Sequence, residues 1–264
     1  MVSKKDIKLI SSLKQRKFRD INKSFVVEGK KSISEFLDSK FNLIKLFSID
    51  CSFYTDISNQ IQVNSDELKK LSFFKNPDDH LAIFEIPKQK PINESILIVA
   101  LESIRDPGNL GTIIRTCEWF GVNDIICSND SVDCFNPKVV QSAMGSLSRI
   151  NITYVDLNSY LKSTELKSIG MTLNGQSLYE KKLSFEKGIL IFGNEANGIS
   201  DRLFSMLNHN LTIPRSLNSD FPESLNLSVS VGVVLGEIKR KTYLSSKVSL
   251  IRKIRNDKYF KSEE

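Results

Sequence analysis

The chain has 264 residues, 40 % of them hydrophobic, which is enough to bury the core of one large domain or two ordinary ones. No N-terminal stretch has the basic-then-apolar pattern of a signal peptide, and no run approaches the roughly 20 apolar residues that cross a bilayer, so the expectation is a soluble, cytoplasmic protein with no membrane association. The formal charge of +6 is polarised: residues 1–31 carry net +7 and residues 239–264 net +6, leaving net −7 between them. Basic ends of this kind suit a polyanion, because each neutralised phosphate releases counterions, and they equally suit solubilising tails.

In chain order, Ile7, Ile10 and Leu13 among many lysines predict an amphipathic basic helix over residues 3–17. Ser24–Val27 then reads as a strand, Gly29–Asp38 as a helix, Leu43–Ile49 as a strand, and Ser65–Leu71 as a helix that Ser65 could cap. This is a small alternating α/β unit. The stretch Ile86–Ser95, with Pro87 and Pro91 among polar residues, breaks periodicity and predicts a boundary between a domain over residues 1–90 and one over residues 95–243, with residues 244–264 as a basic tail. Beyond the boundary, apolar runs at Ile96–Leu101, Asp124–Cys127, Ile189–Phe192 and Leu211–Ile213 alternate with helical patterns at Thr112–Phe120, Val139–Leu147 and Leu227–Lys241. That is the rhythm of a parallel sheet covered on both faces. Cys51, Cys117, Cys127 and Cys134 form no C-x-x-C pair and only His80 and His209 accompany them, so they read as small core residues, with no metal site and no disulfide framework.

Three segments carry chemistry. In DPGNLGTIIRTCEWFG, Asp106 to Gly121, a turn after a strand opens a helix; with a helix start near Leu110, Arg115 stands in the second turn, beside the turn that holds Asn109, where a guanidinium can grip a phosphate through paired donors. In LIFGNEANGIS, Leu190 to Ser200, an apolar strand runs into Gly193, Glu195 and Gly198, at the carboxyl end where open α/β sheets bind small molecules. The segment Leu211 to Glu237 passes from Ile213-Pro214 through a polar loop to Ser224-Leu225-Asn226 and an apolar helix that Ser224 or Asn226 could cap. No G-x-G-x-x-G occurs, which removes the main signature of a nicotinamide-binding domain.

Taken in this order, the three segments resemble the three motifs of the SpoU (TrmH) family of RNA ribose 2'-O-methyltransferases, and NPKVVQSAMGS, Asn136 to Ser146, resembles the family's segment between the first two. The resemblance covers about residues 97–241, and VVEGKKSISEFL, Val26 to Leu37, resembles the start of the substrate-binding domain of ribosomal-RNA members. It implies an α/β fold whose parallel sheet carries a C-terminal trefoil knot, a rare exception to the rule against knots. It further implies S-adenosylmethionine held by Gly193, Ile213 and Leu225, a homodimer, and an RNA substrate, most simply ribosomal RNA. The implied catalytic set is Arg115, Asn109, Glu195, Ser224 and Asn226. Removing a proton from a guanidinium near pH 7 costs roughly 7 to 9 kcal/mol, so the role expected for Arg115 is to orient ribose and phosphate and to stabilise the developing alkoxide. Two rivals remain at this point, a transfer-RNA methyltransferase and a non-catalytic RNA-binding assembly factor. The sequence departs from the family in a longer Pro214–Ser224 loop containing Phe221-Pro222, and in Asn194, where small residues are frequent.

Overall fold

The computed structural model describes residues 2–180, 187–216 and 224–259, the stretch 244–259 as helical backbone only. The basic segment at the start forms two helices rather than one, α1 (Lys4–Ser12) and α2 (Arg16–Asn22). The chain turns between them because Arg19, buried at 2 % exposure, folds back to donate from Nη1 to the carbonyls of Leu13 and Lys14 at 2.8 and 2.9 Å. A four-stranded sheet follows in the order β1-β4-β2-β3, from β1 (Ser24–Glu28), β2 (Leu43–Ser48), β3 (Gln60–Gln62) and β4 (His80–Glu85). β4 lies antiparallel to both β1 and β2, and β2 runs parallel to β3. Its helices are α3 (Lys30–Leu37) and α4 (Ser65–Leu71). Asn64, not Ser65, caps α4, since its Oδ1 accepts from Glu67 N–H at 2.9 Å while Glu67 Oε2 accepts from Asn64 N–H at 3.2 Å, a reciprocal capping box.

After an irregular stretch over residues 86–96, the second sheet is entirely parallel. Its order is β10-β8-β9-β5-β6-β7, built from β5 (Leu97–Leu101), β6 (Asp124–Ser128), β7 (Asn151–Val155), β8 (Ser168–Ser177), β9 (Gly188–Phe192) and β10 (His209–Thr212). The central strands read as unbroken apolar runs because alternate residues enter different cores. Leu97, Val99 and Leu101 of β5, with Leu190 and Phe192 of β9, face a core shared with α5 (Pro107–Trp119), α6 (Pro137–Ala143) and α9 (Leu227–Tyr259). Ile98, Ala100, Ile189 and Ile191 face the other side, under α7 (Leu157–Ser163) and α8 (Asp201–Phe204).

Several elements differ in extent from the sequence expectation. α5 begins at Pro107, whose missing N–H and fixed φ suit a first helical turn, with Asp106 Oδ1 accepting from Asn109 N–H at 2.7 Å as the cap. The helix expected over Val139–Leu147 ends at Ala143, because Met144 and Gly145 adopt φ of 51° and 91°, and a short 3-10 turn, Ser146–Ser148, follows. α9 does not end near Lys241 but continues through the basic segment to Tyr259. The strands β3, β4, β7 and β8 and the helices α7 and α8 carry no clear period in the sequence. Cys117, Cys127 and Cys134 are buried core residues, and burial pushes the Cys127 thiol up to about 12. Among the described residues no helix is long and apolar enough to cross a membrane, and no group of three or more His, Cys, Asp or Glu side chains could hold a metal.

The two sheet units share one core. Phe135, on the loop between β6 and α6, lies 4.6 Å from Phe25 of β1, ring centroid to centroid, and this aromatic cluster runs on through Phe36, Phe41 and Phe84.

The crossing of α5 over α6 depends on Gly111. A Cβ there would stand 2.5 Å from Ser142 Cβ and 2.7 Å from the Val139 carbonyl, inside van der Waals contact. Gly111→Ala is therefore expected to lower stability by about 1–3 kcal/mol through overpacking, despite alanine's better helix propensity. Equilibrium unfolding in urea measures it, and an unchanged midpoint would contradict the close approach of the two helices.

Candidate active site

Three loops gather where the parallel strands end: the turn from β5 into α5, the loop from β9 to α8, and the segments that leave β10 and enter α9. In an open parallel sheet this carboxyl edge is where the chain can open a crevice, because the helices on both faces stop short of it. Here the crevice is a cleft of about 740 Å³ lined by Gly193, Glu195, Ile213, Ser224 and Leu225, together with Thr172 from the middle of β8.

The loop after β9 folds tightly on itself. Asn194 N–H donates to the Gly198 carbonyl and Gly198 N–H to the Asn194 carbonyl, both at 2.9 Å. A Cβ on Gly193 would lie 2.1 Å from the Gly198 carbonyl carbon, so only glycine lets the two backbone segments come this close. Asn194, the departure from small residues, has a structural task. Its Nδ2 donates to the Ser103 carbonyl at 2.7 Å and its Oδ1 accepts from the Ala196 and Asn197 N–H groups at 2.9 and 3.1 Å, which ties this loop to the β5–α5 turn.

The structure brings Asn109, Glu195 and Asn226 together, one from each segment. Asn226 Nδ2 donates to Asn109 Oδ1 at 3.0 Å, and Asn109 Nδ2 donates to Glu195 Oε1 at 3.3 Å. Asn226 is also the residue that caps α9, its Oδ1 accepting from Ser228 N–H at 2.9 Å; Ser224 does not cap the helix and instead lies exposed on the cleft wall. Both uses of Asn226 come from one amide, the oxygen serving the helix and the nitrogen the site.

Arg115 is not brought to this group. Because α5 starts at Pro107, Asn109 sits in its first turn and Arg115 in its third, about 120° apart around the axis at 100° per residue. Arg115 is exposed on the outer surface of α5 and makes no ion pair among the described residues. One turn further along, Trp119 is 85 % exposed.

Of the expected cofactor residues, Gly193, Ile213 and Leu225 all line the cleft. The long loop containing Phe221-Pro222 lies outside the described residues from 217 to 223. Thr172 escaped sequence reasoning because β8, with two glycines and mixed polarity, shows no period. Its Oγ1 is buried without a hydrogen-bond partner in the wall of the cleft, a polar group left for something bound there. Ser103 and Glu102 were missed as well. Ser103 adopts φ 54°, held there by Ser128 Oγ, which accepts its N–H at 2.7 Å, while Glu102 accepts from Ser200 N–H and Oγ at 2.9 and 2.6 Å and anchors the start of α8.

Comparison with known proteins places the chain in a family. Residues 96–236 match the SpoU rRNA Methylase family and residues 4–82 the MRM3-like substrate binding domain. The chain is 27 % identical to the 23S rRNA (guanosine(2553)-2'-O)-methyltransferase RlmP of Bacillus subtilis, over 88 % of this chain and 100 % of that protein. Among solved structures it superposes on an RNA methyltransferase of the TrmH family from Porphyromonas gingivalis with a TM-score of 0.84 at 32 % identity, covering 91 % of this chain and 99 % of the other. An AdoMet-bound rRNA methyltransferase from Sinorhizobium meliloti gives a TM-score of 0.79 at 28 % identity, over 91 % of this chain and 97 % of that one. With the family match spanning more than half its length and the three loops assembled at one sheet edge, the chain belongs to the SpoU rRNA methylase family.

Proposed function

We propose that the protein transfers a methyl group from S-adenosylmethionine to a ribose 2'-hydroxyl of ribosomal RNA. The observation that carries this reading is the hydrogen-bonded chain Asn226–Asn109–Glu195 at the rim of the cleft formed by Gly193, Ile213 and Leu225. The cleft fits the cofactor: its volume suits a ligand of that size, and the buried, unpartnered Thr172 Oγ1 offers a hydrogen bond. Bound there, S-adenosylmethionine supplies the methyl group on a sulfonium, and the protein's work is to place the ribose oxygen in line with it. Asn109, Glu195 and Asn226 fix the three loops against one another, and Ser224 and Glu195 present hydrogen-bonding groups to the ribose from the wall.

Arg115 stabilises negative charge as the 2'-oxygen loses its proton, and its planar fork holds an RNA phosphate at the same time. Since Arg115 faces away from its own cleft, it acts in a homodimer, at the cleft of the second copy. Trp119 on the same outer surface, and Leu225 and Val229 at 48 % and 50 % exposure beside the start of α9, give that interface its apolar content. The reading extends to the domains: residues 1–90 bind RNA, residues 95–243 carry the chemistry in a knotted fold, and the basic residues of 244–264 add phosphate contacts in the cytoplasm.

Arg115→Ala is expected to keep the fold and the cofactor affinity measured by calorimetry, while single-turnover methyl transfer at saturating cofactor falls about a hundredfold or more. Arg115→Lys should recover only part of the rate, because an ammonium lacks the fork. The acceptor is cellular RNA from a strain lacking the gene. A wild-type rate for Arg115→Ala would remove Arg115 from the catalytic set, and absence of any heat at millimolar S-adenosylmethionine would favour a non-catalytic RNA-binding protein.

Sedimentation at micromolar concentration should show a dimer, and Trp119→Glu, which replaces an exposed indole on the Arg115 side of α5 with a charge, should shift it to monomer and abolish transfer together. A monomeric wild-type protein with full activity contradicts the shared site.

A further inference from the structure

The end of β6 and the loop that leads from it to α6, residues 128–136, bind both units of the protein at once. On one side they grip the turn after β5. Ser128 and Ser131 accept from the Ser103 and Ile104 N–H groups at 2.7 and 3.1 Å, and Asp130 Oδ2 accepts from Ser103 Oγ at 2.7 Å and pairs with Arg105 at 2.8 Å. This turn leads directly to Asn109, and its Ser103 carbonyl receives the Asn194 bond that holds the cofactor-side loop. On its other side the same loop holds the N-terminal unit. Arg19 of α2 donates from Nε and Nη2 to Asp133 Oδ2 at 2.8 and 2.5 Å, Phe135 packs on Phe25, and the Arg16 guanidinium lies 5.5 Å from the ring centre of Tyr154, whose hydroxyl donates to the Val132 carbonyl. Elsewhere in the interface, Arg149 pairs with both Glu35 of α3 and Glu118 of α5.

The covalent connection alone would not fix this arrangement. Residues 86–96 form no helix or strand, and their anchors each stay within one unit, Ile86 N–H donating to the Lys23 carbonyl at 2.7 Å and Asn93 N–H to Asp124 Oδ1 at 3.4 Å. Nor is stability a sufficient reason for the Arg19–Asp133 pair, with side chains 2 % and 13 % exposed, since buried ion pairs stabilise little more than apolar side chains of equal size. What such a pair adds is direction: three guanidinium nitrogens with assigned acceptors admit one orientation of α2 over the loop.

We infer that Asp133 is a positioning residue for methyl transfer: through Arg19 it locks the N-terminal unit at one orientation to Asn109 and Glu195, so that RNA held by that unit reaches the cleft at a distance set by the protein. This rests on the reading that the N-terminal unit holds RNA. Asp133 touches neither cleft nor substrate, and it acts by keeping the two RNA-contacting parts in register.

The test uses the full-length protein and Asp133→Asn, with cellular RNA from a strain lacking the gene as acceptor. The expected result is unchanged affinity for RNA and for S-adenosylmethionine, an expanded small-angle X-ray scattering profile, and a single-turnover rate from the bound complex lower by about tenfold or more, the scale of a small misplacement. Phe135→Ala opens the same interface without leaving a buried charge, is expected to behave alike, and carries the test if Asp133→Asn does not fold. A wild-type rate in a folded variant overturns the inference, whether or not the scattering profile expands. Loss of RNA affinity in place of rate also overturns it, since it assigns Asp133 to RNA binding. If the wild-type protein itself transfers no methyl group to this RNA, the methyltransferase reading fails instead.

Discussion

The central strands β5 and β9 are buried on both faces, and this constraint orders the rest of the molecule. Every residue of Leu97–Leu101 and Gly188–Phe192 is buried, so helices must lie on both sides of the sheet. Chains that cross over such a sheet return at the same end, and the loops that leave the strands meet at the carboxyl edge. The three segments with chemical content therefore need no contact with one another in sequence. They meet because the strands that precede them are neighbours in the order β10-β8-β9-β5.

At that edge the backbone is held by side-chain amides more than by ion pairs. Asn109, Asn194 and Asn226 each use both ends of the amide or one end twice, and together they join the turn after β5, the loop after β9 and the start of α9. An amide donates and accepts without net charge, so it can fix a loop beside a cleft without adding to the field that a cationic cofactor and an anionic RNA will meet. Glu195 and Arg115, the charged residues proposed for the reaction, stay exposed. The one strongly buried charge among the residues discussed, Arg19, lies at the junction of the two units and not in the cleft.

The same loop, residues 128–136, reaches from the turn before Asn109 to α2 of the N-terminal unit, so the geometry of the site and the placement of the substrate-binding unit share one support. Its hydrogen bonds reach both units, whereas those of the stretch 86–96 that joins the units covalently, such as Ile86 N–H to the Lys23 carbonyl and Asn93 N–H to Asp124, each stay within one unit.

The sequence by itself determined the class of the second unit and, through the family resemblance of its three segments, named residues that the fold brings to one edge of the sheet. Short apolar runs, three to six residues long and spaced by helical periods, fit strands of a parallel sheet, and the glycines and amides after them mark the edge where a ligand approaches. The resemblance of the sequence's three segments to the family's motifs implied that Gly193, Ile213, Leu225, Ser224 and Glu195 belong together, and all of them line one cleft. What it could not determine were relations that depend on a partner distant in sequence. β4 and β8 have no period of their own because their neighbours on both sides supply the burial. Thr172 became part of the cleft only through the position of β8, and Asn194 changed from an irregular residue to a clamp once Ser103 was seen to lie opposite it. The start of α5 moved by three residues from the expected Leu110 to Pro107, and that turned Arg115 away from Asn109 by a third of a revolution. Direction on a helix depends on where the helix begins, and that was decided by a cap, Asp106, whose effect on Arg115 appears only when the whole helix is placed against α6 and α9.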